Sequence, residues 1–142
     1  MVIFGIFAGL IMADVSANIL VKNEQVILYM QMESPENYRF SKIPGLKYEL
    51  VPNSVIRGYT GERINSIGLR DREIAEAKPD DLFRIIVLGD SLTYGSGIRL
   101  ADTYVKALER ILNEKETRYK RYQVINAGVC AYNIFQKYIM LK

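Results

Sequence analysis

One serine of this chain stands where it could act as a nucleophile. The run Phe83 to Leu88 (FRIIVL) is apolar and rich in β-branched residues, and Gly89, Asp90 and Ser91 follow it at once. A glycine lets the backbone bend sharply, so the serine beyond it can present its hydroxyl at the edge of a sheet, with backbone N–H groups beside it. Acyl-transfer enzymes hold a nucleophile in this way. A plainer interpretation, in which Ser91 only caps a helix or completes a turn, stays open.

A second loop follows a second strand pattern. Residues 122–125 predict a strand, the small residues 126–131 predict a loop, and a further helix is expected to start from Asn133. Between the two strands, Asp102 or Thr103 can cap a helix. Its apolar positions follow the spacing i, i+4, i+7 and i+8, widened by Val105. These positions are Tyr104, Leu108, Ile111 and Leu112.

The order of these elements predicts an α/β fold. Strand, loop and helix follow one another twice, which is the pattern of adjacent parallel strands joined by a right-handed crossover. The continuous apolar run at 83–88 indicates a strand buried on both faces. Both loops would then lie at the carboxyl ends of the strands, where open α/β sheets bind ligands.

The two segments resemble the SGNH hydrolases, also called GDSL esterases and lipases. Residues 83–97 (FRIIVLGDSLTYGSG) and 122–133 (YQVINAGVCAYN) are similar to the first two conserved blocks of that family. Residues 48–53 and 64–71 resemble the segment that precedes the core in bacterial members with an amino-terminal membrane anchor. The resemblance covers about residues 46–140. It implies a flavodoxin-like three-layer α/β/α sandwich with parallel strands, of which this chain would hold a part.

The resemblance also implies roles for single residues. Ser91 would attack an ester carbonyl, and its backbone N–H would help to bind the resulting oxyanion. Ala131 stands where the family usually has a glycine whose backbone N–H is another oxyanion donor. An alanine keeps that N–H, but a left-handed conformation there would cost about 1 kcal/mol or more. The supporting residues of the two turns would be Gly89, Asp90, Asn126 and Gly128, with Asn126 bonding to neighbouring backbone.

Composition limits the chemistry further. The chain has 142 residues, enough for one compact domain, and 19 Lys and Arg against 16 Asp and Glu. Its net charge of +3 is not gathered into one basic block, so no nucleic-acid partner is indicated. Because the chain has no His, it cannot hold a Ser-His-Asp set or a His-containing zinc site, and we expect no metal and no cofactor. Cys130 stands alone and is expected to be a small buried side chain.

The missing His shapes the functional hypotheses. The later blocks of the SGNH family supply an oxyanion-hole asparagine and an Asp-x-x-His pair, so we expect residues 81–142 to be the first part of a truncated hydrolase domain, inactive alone. The leading hypothesis is an ester hydrolase with an acyl-enzyme mechanism, acting on a small-molecule or carbohydrate ester. The alternatives are an O-acyl (acetyl) transferase of the same fold, a non-catalytic binding module, and an inactive fragment.

The amino-terminal residues differ in composition from the rest. Residues 1–13 carry no charged side chain, and residues 1–30 are predicted to form an apolar helix. A membrane anchor, a signal segment and a buried helix all remain open, with possible membrane association through residues 1–21. The protein could therefore be membrane-anchored or exported, with its topology open. Residues 31–80 are interpreted as an extended, loop-rich connection with a short extended run at 47–51, since residues 32–52 alone hold three of the four prolines.

Overall fold

The chain divides into two compact units in a computed structural model, Met1–Pro35 and Glu36–Lys142. The structure describes residues 11–13, 15–16, 35–57, 61–115, 119 and 121–142. Residues 11–13 and 15–16 of the first unit are helical, and the rest of the helix predicted over 1–30 lies outside the described residues. Within the described part, no helix combines the length and the apolar character needed to cross a membrane.

The second unit is a mixed α/β structure, which confirms the predicted fold class. Strands β3 and β4 pair in parallel along their whole length, from Leu82 opposite Arg121 to Gly89 opposite Gly128. A smaller antiparallel hairpin precedes them. The elements in chain order are β1 (Tyr38–Phe40), β2 (Tyr48–Leu50), β3 (Leu82–Gly89), α1 (Ser91–Tyr94), α2 (Tyr104–Glu114), β4 (Arg121–Gly128) and α3 (Ile134–Met140), with 3-10 turns at Pro35–Asn37 and Leu100–Asp102.

Strand β4 is longer than its sequence pattern predicts. We expected residues 126–131 to form a loop, but Asn126, Ala127 and Gly128 continue the strand and pair with the end of β3. The expectation was wrong because small residues after an apolar run signal a loop only locally. Here the small size of Gly128 lets the backbone of α1 pack directly on the end of the strand.

The parallel pair is not buried on both faces as expected. Phe83 and Ile86 lie on opposite faces of β3, and their side chains are 40% and 54% exposed. The apolar run predicted a central strand, yet β4 is its one neighbour among the described residues. With a single neighbouring strand and few helices to cover it, β3 keeps apolar area in contact with solvent.

Helix α2 begins where the sequence predicts, but it presents a different side to the sheet. Thr103 is its N-cap, and its Oγ1 accepts a hydrogen bond from the N–H of Lys106 at 3.4 Å. The predicted apolar stripe placed Tyr104 and Ile111 in the core, whereas they are 51% and 46% exposed. Val105 is fully buried instead. Helix α2 is thus turned about its axis relative to the predicted orientation, because its polar side chains bind the edge of β4.

That outer edge of β4 is closed by side chains of α2. The N–H of Tyr122 donates to Asn113 Oδ1, and Asn113 Nδ2 donates to the carbonyl of Tyr122, both at 2.9 Å. The N–H of Val124 donates to Glu109 Oε2 and its carbonyl accepts from Lys106 Nζ, both at 2.7 Å. These bonds replace the partners that a neighbouring strand would supply, so β4 offers little to a further strand.

The loop before the sheet completes this cap. Asp71 is buried, and its Oδ2 accepts a hydrogen bond from the N–H of Asn126 at 2.7 Å. The same carboxylate pairs with Lys106 Nζ at 2.7 Å. A buried carboxylate is thus neutralised by a lysine and satisfied by the backbone of β4, as a buried charge requires.

The opposite edge of the sheet, on β3, is open. The N–H of Val129 donates to the carbonyl of Gly89 at 3.1 Å, so the odd-numbered residues of β3 turn their main-chain groups toward β4. The even-numbered ones therefore turn theirs away. Within the described residues, the N–H and C=O groups of three of these make no hydrogen bond: Arg84, Ile86 and Leu88.

The β1–β2 hairpin packs in the same unit as the sheet. Tyr48 and Leu50 of β2 are buried, and β2 lies within the extended run expected at 47–51. Ile64 and Arg70, farther along the segment between hairpin and sheet, are also buried. Residues from Glu36 onward thus share one core with the parallel strands.

Candidate active site

Ser91 is the first residue of α1, directly after the turn that ends β3. Asp90 is the N-cap of this short helix, and its Oδ1 accepts a hydrogen bond from the N–H of Leu92 at 3.1 Å. The side chain of Ser91 is half-buried, and its Oγ makes no hydrogen bond within the described residues. Asp90, rather than Ser91, does the capping, so the hydroxyl of Ser91 is available for other contacts.

Two glycines let α1 sit on the ends of both strands. A Cβ atom at Gly89 would overlap the side chain of Thr93, and one at Gly128 would overlap the backbone nitrogen of Tyr94. Both glycines are buried. Close approach of neighbouring atoms, from a side chain at Gly89 and from backbone at Gly128, rather than turn conformation, explains why glycine occupies these two positions.

Asn126 joins the two turns. Its side chain is fully buried, and Nδ2 donates to the carbonyl of Thr93 in α1 at 2.7 Å. Its Oδ1 accepts from the N–H of Gly128 at 3.0 Å. The bonds of Asn126 therefore go to neighbouring backbone and fix α1 against the end of β4.

Ala131 has a left-handed backbone, with φ of 60°. The turn around it is closed by the N–H of Tyr132, which donates to the carbonyl of Val129 at 3.2 Å. Within the described residues, the N–H groups of Ala131 and Ser91 donate to no acceptor. The left-handed conformation costs an alanine about 1 kcal/mol, so the rest of the structure must hold this turn in place.

An ion pair connects α3 to the turn that carries Ser91. Lys137 Nζ lies 3.2 Å from Asp90 Oδ2. The hydrogen bond from the N–H of Leu92 and the contact with Lys137 together lower the pKa of Asp90. Helix α3 is itself fixed at its start by Asn133, which forms a capping box with Gln136. Helix α3, which follows the turn at Ala131, thus contacts the turn that carries Ser91 through Asp90, the N-cap of α1.

Sequence reasoning missed Arg70, which binds the chain beyond α1. Its guanidinium is 1% exposed and donates to the carbonyls of Tyr94, Gly95 and Ile98 at 2.9, 2.5 and 2.6 Å. It also pairs with Glu62 at 2.7 Å. The pattern Gly68-Leu69-Arg70-Asp71 is visible in the sequence, but an arginine in sequence gives no sign of being buried.

Sequence reasoning also missed Tyr48, which contacts the second turn. Its hydroxyl donates to the carbonyl of Cys130 at 2.7 Å, and the hydroxyl of Tyr132 donates back to the carbonyl of Tyr48 at 2.5 Å. Cys130 is buried, in keeping with its expected role as a small packed side chain. No local signal could have found these bonds, because the partners are more than 80 residues apart.

The described residues offer little to a metal or a large ligand beside Ser91. Among them, no three His, Cys, Asp or Glu side chains come close enough together to hold a metal ion. An open apolar groove of about 780 Å³ lies between the hairpin and α3, lined among others by Leu46, Leu50 and Phe135. Ser91 does not line it.

Comparison with models of known protein families, with curated proteins and with solved structures finds no match to this chain.

Proposed function

We propose that this chain carries the nucleophile and two oxyanion donors of a serine ester hydrolase of the SGNH type. The observation that carries the proposal is the arrangement at the carboxyl ends of β3 and β4. Ser91 there follows the first strand with a hydroxyl free of hydrogen bonds, and the N–H groups of Ser91 and Ala131 donate to nothing in the described residues. N–H groups without an acceptor, one on the serine and one on the turn after the neighbouring strand, are the donors that an oxyanion in acyl transfer would need. The proposed architecture is part of a flavodoxin-like three-layer sandwich.

In the proposed reaction, Ser91 Oγ attacks the carbonyl carbon of an ester. A general base takes the hydroxyl proton, and the two backbone N–H groups bind the oxygen that becomes negative. The bond from the carbonyl carbon to the alcohol oxygen then breaks, the alcohol leaves with the proton, and the acyl group remains on Ser91. Water releases it as a carboxylic acid by the same steps.

The SGNH resemblance implies a His as general base, and because this chain has no His, the proposal places that base outside the chain. A positioned base contributes about 10²–10⁴-fold to such a reaction. We therefore expect the isolated chain to turn over esters very slowly, and a polypeptide segment that supplies a His to restore the rate. The proposed substrates are small-molecule or carbohydrate O-acyl esters.

Imidazole in solution can replace the missing base in a test. The isolated chain is incubated with p-nitrophenyl acetate over a series of imidazole concentrations, and acetylation of the peptide that contains Ser91 is followed by mass spectrometry. We expect the rate of acetylation at Ser91 to rise in proportion to imidazole. Ser66 and Ser96, both exposed, lie in the same chain and serve as internal controls. Acetylation of Ser91 no faster than that of these two serines would overturn the proposal.

A non-catalytic binding module is the second candidate, and the absence of His favours it. In that case a Ser91→Ala variant would bind a carbohydrate ester as tightly as the natural chain, and imidazole would not speed the acetylation of Ser91 by p-nitrophenyl acetate. Acyl transfer is separated from hydrolysis by adding a sugar alcohol to the acetylated chain. A transferase would move the acetyl group to the sugar, whereas a hydrolase would release acetate.

A further inference from the structure

Of the two polar groups in the peptide bond between Cys130 and Ala131, the carbonyl is hydrogen-bonded and the N–H is not, within the described residues. Its carbonyl, on Cys130, accepts the hydrogen bond from the Tyr48 hydroxyl at 2.7 Å. Its N–H, on Ala131, donates to nothing in the described residues. In a trans peptide the C=O and N–H groups point in opposite directions. The bond from Tyr48 therefore directs the N–H of Ala131 away from the hairpin.

The turn around this peptide has a competing arrangement. Residues 129–132 form a turn whose third residue, Ala131, has φ of 60°, as type II turns require. Rotating the central peptide by half a turn gives a type I turn, in which the third residue has a negative φ that suits alanine. That rotation would also exchange the positions of the N–H of Ala131 and the carbonyl of Cys130. Alanine alone favours the rotated form, so some other contact must oppose it.

Tyr48 is fixed well enough to oppose the rotation. It is 6% exposed, and its ring packs against Tyr132 and Tyr38 with centroids 5.4 and 5.8 Å away. Burial raises the pKa of Tyr48 to about 12, so its hydroxyl keeps its proton and remains a donor near neutral pH.

We infer that Tyr48 is a positioning residue for the oxyanion hole: its hydroxyl holds the carbonyl of Cys130 and so presents the N–H of Ala131 to the acyl oxygen. The inference rests on the proposed function of Ser91. It assigns a role in acyl transfer to a residue of the hairpin, far from Ser91 in sequence. Tyr48 does not touch the substrate in this role.

Replacing the carbonyl oxygen of the substrate by sulfur gives a rate ratio that would not change if Tyr48 served only the stability of the fold. Oxyanion donors stabilise a negative oxygen better than a negative sulfur, so the ratio of acylation rates for p-nitrophenyl acetate and its thionoester measures their alignment. With imidazole present, we expect Tyr48→Phe to lower this ratio about tenfold, less than the 10²–10³-fold loss of a whole donor. Tyr132→Phe, which leaves the Cys130 carbonyl bonded, is the matched control and should change the ratio by less than about twofold.

A rescue variant tests the turn directly. Glycine accepts a positive φ without strain, so Tyr48→Phe combined with Ala131→Gly should recover most of the lost ratio. If Ser91 of the natural chain is not acylated at all, the proposed function is overturned and this role with it. If Ser91 is acylated and the ratio is the same in Tyr48→Phe as in the natural chain, only the role of Tyr48 is overturned.

A measurement on the natural chain covers the case in which Tyr48→Phe does not fold. Phenylboronic acid forms a tetrahedral adduct on an active serine and mimics the oxyanion. In ¹⁵N- and ¹³C-labelled protein, formation of this adduct on Ser91 should shift the amide signal of Ala131 while the carbonyl signal of Cys130 stays at its hydrogen-bonded position. An adduct on Ser91 that leaves the Ala131 amide unmoved would refute the inference.

Discussion

Gly128 lies directly against the backbone of Tyr94, so closely that a methyl group on Gly128 would overlap the Tyr94 nitrogen. Backbone atoms of one turn thus rest on the last residue of β4, with Asn126 bonded to the same turn through the carbonyl of Thr93. This packing fixes the position of α1, and with it Ser91, relative to the end of β4. It is also sensitive to small changes, because backbone atoms cannot move aside as a side chain can.

Gly128→Ala should therefore destabilise the chain strongly. We expect a loss of about 3 kcal/mol in the free energy of unfolding, the upper range for inserting one methyl group into a packed interior. Gly61→Ala is the control: Gly61 has φ of 73° but open space around it, so the change should cost only about 1 kcal/mol of backbone strain. Urea denaturation of both variants measures the difference, and equal losses would contradict the packing argument.

Ala131→Gly should stabilise the chain. Glycine removes a left-handed strain of about 1–2 kcal/mol at Ala131, and after about 0.4–1 kcal/mol for the greater entropy of the unfolded chain is subtracted, the gain should be about 0.5–1 kcal/mol. Ala127→Gly, in the buried part of β4, provides the contrast and should destabilise by a similar amount. Thermal unfolding of the two variants checks the opposite signs. A lower melting temperature for Ala131→Gly would mean that its φ is negative in solution.

Arg70→Lys should be costly although it keeps the positive charge. A lysine cannot bond three carbonyls and a carboxylate at once, so buried acceptors around Tyr94 and Gly95 would lose their donors. We expect about 3 kcal/mol of destabilisation. Arg39→Lys affects an exposed pair with Glu49 and should change stability by no more than about 0.5 kcal/mol. Chemical denaturation that finds similar small effects for both would show that Arg70 is not a buried anchor.

Stability should fall at alkaline pH. Burial raises the pKa of Tyr48 from 10.0 to about 12, and burial also raises the pKa of Tyr132 and Tyr38. A tyrosine with a raised pKa in the folded state loses its proton first in the unfolded chain, so its contribution is complete below about pH 10 and is lost as the pH rises through the folded value. The slope is about 1.4 kcal/mol per pH unit for each proton that differs.

Denaturation at about pH 9 and about pH 11 measures this loss. Tyr48→Phe removes one of the titrating groups, so its stability should fall less steeply over the same interval than that of the natural chain. A natural chain equally stable at both values would show that these tyrosines are not buried together. Tyr119→Phe, which changes an aromatic residue outside this cluster, should leave the slope as it is.

Local signals predicted the main elements of the second unit. The apolar run of β3, the cap at Thr103 and the start of α3 after Asn133 all follow from neighbouring residues, and each is present. The end of β4 was mispredicted because pairing with β3 decides it. The exposed position of Tyr104 follows likewise from the contacts of α2 with the edge of β4, which no helical periodicity encodes.

The residues of the candidate site likewise fall into those that local sequence predicts and those that depend on distant contacts. The sequence pattern identified Ser91, Asp90 and the two glycines, because all four lie at or near the ends of the two strand patterns. It gave no sign of Arg70 or Tyr48, whose carbonyl acceptors lie 24 or more residues away. A buried arginine or tyrosine looks like an exposed one in sequence, because burial depends on which segments meet.

The unlike edges of the sheet limit how it can assemble. A second chain that paired its own open β3 edge with this one would leave the two β4 strands outermost, and those are already occupied by Asn113, Glu109 and Lys106. A third chain would find the outward N–H and C=O groups of Tyr122 and Val124 already bonded. Edge-to-edge association through this sheet should therefore stop at two copies. The outer edge of β4 is already hydrogen-bonded, which prevents growth into a fibre.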